Sequence, residues 1–313
     1  MRVFLAGATG AVGRSLIPIL VAAGHEVVGT TRSPGKLAQL TAAGAEGVVV
    51  DGLDADAVRQ EVRAAAPDVI VQQQTALASG TGDFKHWDAE FAATNRLRTE
   101  GTDHLLAAAR DAGVRRFVAQ SYTGWPNARS GAPVKSEDDP LEANPPAACR
   151  QTLSAIQHLE RVTTSTPGVD GLVLRYGSFY GPGTGLTGDD VVGMLRKRRF
   201  PLVGGGTAVW SLLHIDDAAR ATLAAIEGGA PGIYNIVDDE PAPVAQILPE
   251  LAAAVGAKSP RKLPAWLAKP LIGDFGVTFM TTLRGSSNAK AERELGWKPQ
   301  YPSWREGFRA SVR

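Results

Sequence analysis

The sequence predicts an α/β protein built on a doubly wound parallel sheet, with a smaller α/β region toward the C-terminal end. Three observations carry this expectation. An apolar strand, Arg2-Val-Phe-Leu-Ala6, runs into the glycine-rich turn Gly7-Ala-Thr-Gly10-Ala-Val-Gly13, and helical periodicity follows over residues 14–23. Short β-rich runs then alternate with helices, at residues 27–30, 48–50, 69–71, 117–120 and 172–175. After residue 175 the alternation loosens, with a glycine-rich stretch over 176–188 and the turn Gly204-Gly-Gly206.

Strand, GxxGxxG and helix in that order suit a phosphate-binding turn. Glycines let the backbone approach a pyrophosphate, and the free N–H groups at a helix start face the charge. Gly7, Thr9, Gly10, Ala11, Val12 and Gly13 are the expected contacts; a tight structural turn is the alternative. A helix around 99–112 precedes the strand at 117–120. Residues 1–175 read as a Rossmann dinucleotide-binding domain to which 209–232 returns, and 176–313 read mainly as a substrate-binding region. His214-Ile-Asp-Asp217 can cap a helix over 218–226, and residues 232–236 read as a strand. Ser286-Ser-Asn288 can cap a helix that stops at Gly296, and Ser303 can cap the last one. Residues 79–83 and 127–146 read as flexible loops.

The chain of 313 residues is 44% hydrophobic and 21% charged, which suits a soluble globular protein. A net charge of +1 gives no general attraction to nucleic acid or to anionic membranes. One cysteine, Cys149, rules out an internal disulfide. With no signal peptide and no apolar run long enough to span a bilayer, the expected location is cytoplasmic. No metal set is expected.

Further motifs give this order a family likeness. Asp51-Gly-Leu-Asp54, Asn95 with Gly101-Thr102, Arg116-Phe-Val118 with Ser121, and Arg175-Tyr-Gly-Ser-Phe-Tyr-Gly-Pro182 follow one another. His214-Ile-Asp-Asp217, Tyr234-Asn235 and Ala289-Lys-Ala-Glu-Arg-Glu-Leu-Gly-Trp297 complete the series. Together they resemble the extended short-chain dehydrogenase/reductase family, epimerase/dehydratase branch, over nearly the whole chain. The resemblance implies a nicotinamide cofactor, a small-molecule substrate, and a homodimer formed through helices near 90–112 and 149–163.

NAD-preferring members place an acid after the second strand, to bond the ribose 2′-hydroxyl. Thr31 stands there, followed by Arg32, so NADP is expected over NAD: Arg32 can bond a 2′-phosphate, with Ser33 and Lys36 nearby. A solvated loop arginine is the other reading. Asp51 then falls at the adenine edge or serves its own turn. Where the family ends its fourth strand in small residues, this chain has Gln73-Gln74-Thr75, and Gln72 to Gln74 make an unusual polar run beside an apolar strand. Gln73 and Gln74 either bond the cofactor or face solvent and a loop.

The resemblance also implies a catalytic Ser/Thr and a Tyr-x-x-x-Lys pair. Aligning Glu160 with the family's helix glutamate puts Thr152 and Ile156 at the Tyr and Lys positions, and a three-residue shift puts Cys149 and Leu153 there. Neither register supplies the relay. Tyr122 falls on the Ser/Thr position, and it either donates a proton or packs against Trp125. Tyr176 replaces a proline beside the nicotinamide and is the second candidate acid. Ser121 is expected to bond backbone or ribose. Cys149, His158 and His214 read as structural.

Sugar-nucleotide epimerases commonly carry an arginine where Trp210 stands, so a non-nucleotide, apolar or aromatic substrate is expected. Arg196-Lys-Arg-Arg199 reads as the charged end of a helix. Apolar residues over 266–283 line a pocket or fill a core. Three functions follow: an NADP-dependent oxidoreductase acting on a carbonyl or alcohol with a non-standard proton donor, a redox-neutral epimerase, dehydratase, isomerase or lyase, and a non-enzymatic NADP-binding sensor.

Overall fold

The computed structural model describes residues 1–77 and 82–312. Seven parallel strands form its sheet: β1 (Arg2–Ala6), β2 (Glu26–Thr31), β3 (Glu46–Val49), β4 (Val69–Gln72), β5 (Arg116–Tyr122), β6 (Asp170–Tyr176) and β7 (Gly232–Ile236). Their spatial order is β7-β6-β5-β4-β1-β2-β3. The winding reverses between β1 and β4. Connections leave in opposite directions there, which opens a crevice at the carboxyl ends of those two strands.

Period-two alternation loads both faces. Val3 and Leu5 enter one core with Val12, Leu16, Ile17 and Leu20 of the helix Ala11–Ala22 and with Ala218 and Ala221 of the helix Ile215–Glu227. Phe4 and Ala6 enter the other with Val58 and Val62 of the helix Ala55–Ala65, Leu105 of Thr102–Asp111 and Leu159 of Arg150–Ser165. Each such aliphatic side chain contributes about 1.5–3 kcal/mol on burial. A third cluster, around Trp125, Trp210, Phe275 and Trp304, holds the C-terminal segments against the sheet's carboxyl end.

Several expectations change in detail. The first helix starts at Ala11, directly after the glycine turn. A π-helical turn, Leu97–Gly101, precedes Thr102–Asp111. The strand Gly232–Ile236 joins the main sheet beside β6, and the helix before it packs on Ala11–Ala22. His214 Nδ1 accepts from the Asp216 N–H at 3.2 Å, and Ser303 Oγ from the Arg305 N–H at 3.1 Å, so both caps form as expected. The expected Asn288 cap differs: its amide donates to Val237 O and Asp239, and the helix Ala289–Leu295 ends at Gly296 in the left-handed region.

Residues 127–146 are not a free loop. Val134–Lys135 pairs with Gly285–Ser286, and buried Lys135 donates to Ser130 O at 2.7 Å and Asp139 at 3.0 Å. Of the expected loop at 79–83, residues 79–81 lie outside the described residues; the Gly82 and Asp83 N–H groups both donate to Glu90. Among the described residues, no helix is long and apolar enough to cross a membrane.

One buried ion pair ties the helix Arg150–Ser165 to β5 and β6. Arg175 donates to both Glu160 carboxylate oxygens, at 2.7 and 2.6 Å, and Ser121 Oγ donates to the same group at 2.8 Å. Removing one partner strands a buried charge, at a cost of about 3–5 kcal/mol. Arg175→Met is expected to lose that much in urea unfolding. The double variant Arg175→Met/Glu160→Leu is expected to recover most of it.

Candidate active site

Gly7 follows β1 with φ at +90°, and a Cβ there would lie 2.6 Å from the Gln73 carbonyl oxygen. Both the dihedral and the approach therefore demand glycine. Gly13 is fixed for a second reason, because its Cβ would meet Ala8 O at 2.5 Å and hold the helix off the turn. Gly10 precedes the helix with no side-chain cap, and no acidic residue occupies the first turn. The first helical bond runs from the Arg14 N–H to Gly10 O at 3.0 Å. Among the described residues, the amides of Ala11, Val12 and Gly13 have no acceptor. Val12 itself is buried in the core.

A cleft of about 270 Å³ opens here, between Gly7, Thr9 and Gly10 on one side and the ends of β2 and β4 on the other. Thr31 is buried and accepts from the Ser33 N–H at 3.2 Å, and exposed Arg32 and Lys36 flank the opening. Val50 and Leu97 face each other across the far part of the cleft lining. Asp51 is outside that lining; its carboxylate accepts from the Leu53 N–H at 3.0 Å, which closes a turn.

The three glutamines divide their work. Gln72 turns away from the cleft, its amide donating to Leu97 O at 3.3 Å. The Gln73 backbone pairs with Ala6 O at 2.8 Å, and its side-chain amide donates to the Tyr176 hydroxyl at 3.0 Å. Gln73 and Gln74 both line the cleft, and each keeps a buried Oε1 without a partner. Gly52 is the residue that leaves room for the Gln74 amide.

Two expected site residues are withdrawn by their surroundings. Tyr176 is fully buried, and its hydroxyl contacts Thr222 Oγ1 at 2.6 Å. Thr222 donates onward to Ala218 O, so the hydrogens run in one direction from Gln73 to Tyr176 to Thr222. Burial pushes this phenol up to about 12, which suits a structural hydroxyl and not a proton donor to substrate. Ser121 faces Glu160, not the ribose, and is buried with it.

Tyr122 is half-buried and packs against the cluster that contains Trp125; its hydroxyl lies 2.7 Å from Ser178 Oγ. Burial raises its pKa, and both Ser178 and the nearby Arg98 guanidinium oppose that rise. Thr152 is fully buried, bonded to Asp88 at 2.7 Å and to the Asn95 amide at 3.1 Å. Ile156, Cys149 and Leu153 are buried in the same cluster as Trp125, and Cys149 is held protonated, up to about 12, mainly by burial. His158 pairs with Asp103 at 2.8 Å. Sequence reasoning passed over Arg98, which lies buried in the π-helical turn.

A glycine turn that only backbone can approach, a row of free amides and two orphaned glutamine oxygens fit a dinucleotide cofactor. The site and the sheet thus define a Rossmann-type nicotinamide-dependent protein of the extended short-chain kind. The chain belongs to the NAD dependent epimerase/dehydratase family, whose profile matches residues 3–237. It is 46% identical, over 98% of this chain and 99% of the other, to a Streptomyces 3-diazoavenalumate denitrifying reductase. A second relative, 29% identical over 83% of this chain and 75% of its own, is a Stigmatella aurantiaca ketoreductase of a farnesylated dihydroquinoline-1-oxide. Among solved structures, the human epimerase family protein SDR39U1 with NADPH matches at TM-score 0.78 and 20% identity, covering 100% of this chain and 99% of that one. The Thermotoga maritima UDP-glucose 4-epimerase matches at 0.77 and 23%, covering 100% and 97%. The protein is therefore an NAD(P)-dependent oxidoreductase or epimerase-like enzyme.

Two outcomes follow from the geometry. Gly7→Ala is expected to abolish nucleotide binding in a fluorescence titration, because backbone and not side chain must move. Tyr176→Phe is expected to cost about 1–2 kcal/mol in denaturant unfolding, the worth of its hydrogen bonds, while kcat changes less than about threefold.

Proposed function

We propose that this enzyme is an NADPH-dependent reductase whose substrate is a small aromatic molecule bearing a diazo (arenediazonium) group. The observation that carries the reading is the replaced proton relay, with Thr152 and Ile156 buried where a tyrosine and a lysine would serve. Reducing a carbonyl leaves an alkoxide, which needs a placed acid with a tuned pKa. An arenediazonium is already positive at its nitrogens, and no proton is needed to make it accept hydride. When bound, the reduced nicotinamide supplies a hydride to the terminal nitrogen, the aryl diazene then loses N₂ with its hydrogen kept on the ring carbon, and the sum is ArN₂⁺ plus hydride giving ArH plus N₂. The name of the 46%-identical relative, a denitrifying reductase of a diazo compound, supports the same chemistry.

The chain's own residues bind, orient and exclude water. The amides of Ala11–Gly13 and the glycine turn receive the pyrophosphate, and the Gln73 and Gln74 oxygens accept from the cofactor's polar groups. Arg32, with Lys36, receives the 2′-phosphate. The absence of a carboxylate at Thr31 supports NADP over NAD. Phe84, Trp87, Trp125 and Phe275 form a continuous aromatic wall, with ring centroids 5.2 Å apart for Trp87 and Phe275 and 5.5 Å for Trp125 and Phe275. Phe84 stacks on Trp87 at 5.3 Å. Tyr122 packs against the same cluster, and in this reading its hydroxyl, 2.7 Å from Ser178 Oγ, receives a ring oxygen.

In an anaerobic assay, NADPH oxidation at 340 nm is expected to match N₂ released from an ortho-hydroxy arenediazonium. Tyr122→Phe is expected to raise KM several-fold and leave kcat within about threefold, because the hydroxyl positions the ring and supplies no essential proton. Turnover of ketones only, with kcat falling at least a hundredfold in Tyr122→Phe, would overturn the reading in favour of carbonyl reduction. Arg32→Ala is expected to weaken NADPH about 10- to 100-fold, the loss of a charge-assisted contact, with NADH little changed. Unchanged NADPH affinity would remove the preference for NADP.

A further inference from the structure

The π-helical turn Leu97–Gly101 buries a cation that, among the described residues, makes no ion pair. Arg98 is 6% exposed, and among the described residues it has no ion pair and no hydrogen bond; its Nη1 is buried without a partner. Glu160 is near enough to be felt electrostatically, but its carboxylate is occupied by Arg175 and Ser121. A buried guanidinium left alone is unfavourable by several kcal/mol, which a fold does not carry without a compensating use.

A second orphan lies close by. The guanidinium sits 5.9 Å from the Phe91 ring centroid, and Trp87 stacks on that same ring at 4.3 Å with its own buried Nε1 unpartnered. Two side chains with unmatched donors thus contact one aromatic ring, and the Arg98 charge is felt at the half-buried Tyr122 hydroxyl, whose ionised form it favours. Donors in surplus, one of them charged, call for an acceptor that carries negative charge. Burial lowers the Arg98 pKa to about 10, against the opposing pull of Glu160 and Tyr122, and leaves it cationic at neutral pH.

We propose that Arg98, with Tyr122 and Trp87, receives an anionic oxygen of the aromatic substrate, either a ring phenolate or a side-chain carboxylate. The inference rests on the aromatic-reductase reading above and adds the charge of the substrate to it. A zwitterionic ortho-diazonium phenolate matches the arrangement, with its negative oxygen at Arg98 and its positive nitrogens away from it. Arg98 is then a binding residue that fixes which ring position meets the cofactor, not a substitute acid.

Calorimetry on the NADP⁺-loaded protein tests this without turnover, so its failure is separable from failure of the diazonium assay. The probes are 4-nitrophenolate with its neutral methyl ether, and benzoate with its methyl ester. At least one anion is expected to bind ten or more times tighter than its neutral partner, and the tighter pair identifies phenolate or carboxylate. Arg98→Met is expected to erase that preference and leave NADP⁺ affinity unchanged. Its ligand-free Tm is expected to stay level or rise, since an unpaired charge has been removed. Arg98→Lys is expected to keep most of the preference. Equal binding of anion and neutral analogue by the unaltered protein would overturn the proposal. So would a loss of NADP⁺ affinity in Arg98→Met with the anion preference intact, or a lower ligand-free Tm with that preference intact. If Arg98→Met does not fold, the unaltered protein's anion preference and its retention in Arg98→Lys decide the matter.

Discussion

The close approach of Gly7 to the Gln73 backbone is the contact on which the cleft depends. It occurs where β1 and β4 lie side by side and their connections part, so any side chain at Gly7 would wedge the two strand ends open. That approach places the glycine turn, the free amides of the first helix and the two glutamine oxygens around one volume. The Ala6 carbonyl bond to the Gln73 N–H, at 2.8 Å, extends the ladder one residue past the strand and holds the two sides in register.

Polar groups behind this contact are satisfied in chains that lead away from it. Gln73 is fixed by Tyr176 and Thr222, which settles the orientation of its amide and leaves its buried oxygen without a partner. Glu160, Arg175 and Ser121 close a separate network between helix and sheet. The hydroxyls of Tyr176 and Ser121 are both engaged within these networks. Against that background of satisfied groups, the orphans that bear on the site are the Gln73 and Gln74 oxygens at the cleft and Arg98 Nη1, Trp87 Nε1 and Asn95 Oδ1 on the segment 87–98; others, such as Thr163 Oγ1, Asp238 Oδ2 and Trp297 Nε1, lie elsewhere. The two sets of orphans differ in kind. Unmatched acceptors at Gln73 and Gln74 suit hydroxyl and amide donors, whereas unmatched donors at Arg98 and Trp87 suit an anion.

The sheet was legible because its signals are local. Strand periodicity at residues 2–6 and 69–71, the glycine turn, and the caps at His214 and Ser303 each depend on residues adjacent in the chain. Where a second segment intervened, the local reading fell short. Residues 127–146 read as a free loop because the partner that orders them, Gly285–Ser286, lies some 150 residues away. Tyr176 read as a candidate acid because the family resemblance put it beside the nicotinamide, while the groups that engage it are the Gln73 amide, just past β4, and the Thr222 hydroxyl of the helix Ile215–Glu227. Arg98 was overlooked because a cation on a helix gives no sign, by itself, that it will lack a carboxylate.

Backbone chemistry is written in short windows, so residues 1–23 were enough to raise a dinucleotide-binding turn, and residues 149–160 hold no tyrosine or lysine where the family resemblance would put them. Which hydroxyls remain free is a different kind of fact. It depends on desolvation and on partners supplied by strands and helices far apart in sequence, and each buried polar group takes its role from those partners. Folding therefore decided that Ser121 meets Glu160, that the Tyr176 hydroxyl is buried between Gln73 and Thr222, that Tyr122 stays half-buried beside Ser178, and that Arg98 is buried without an ion pair.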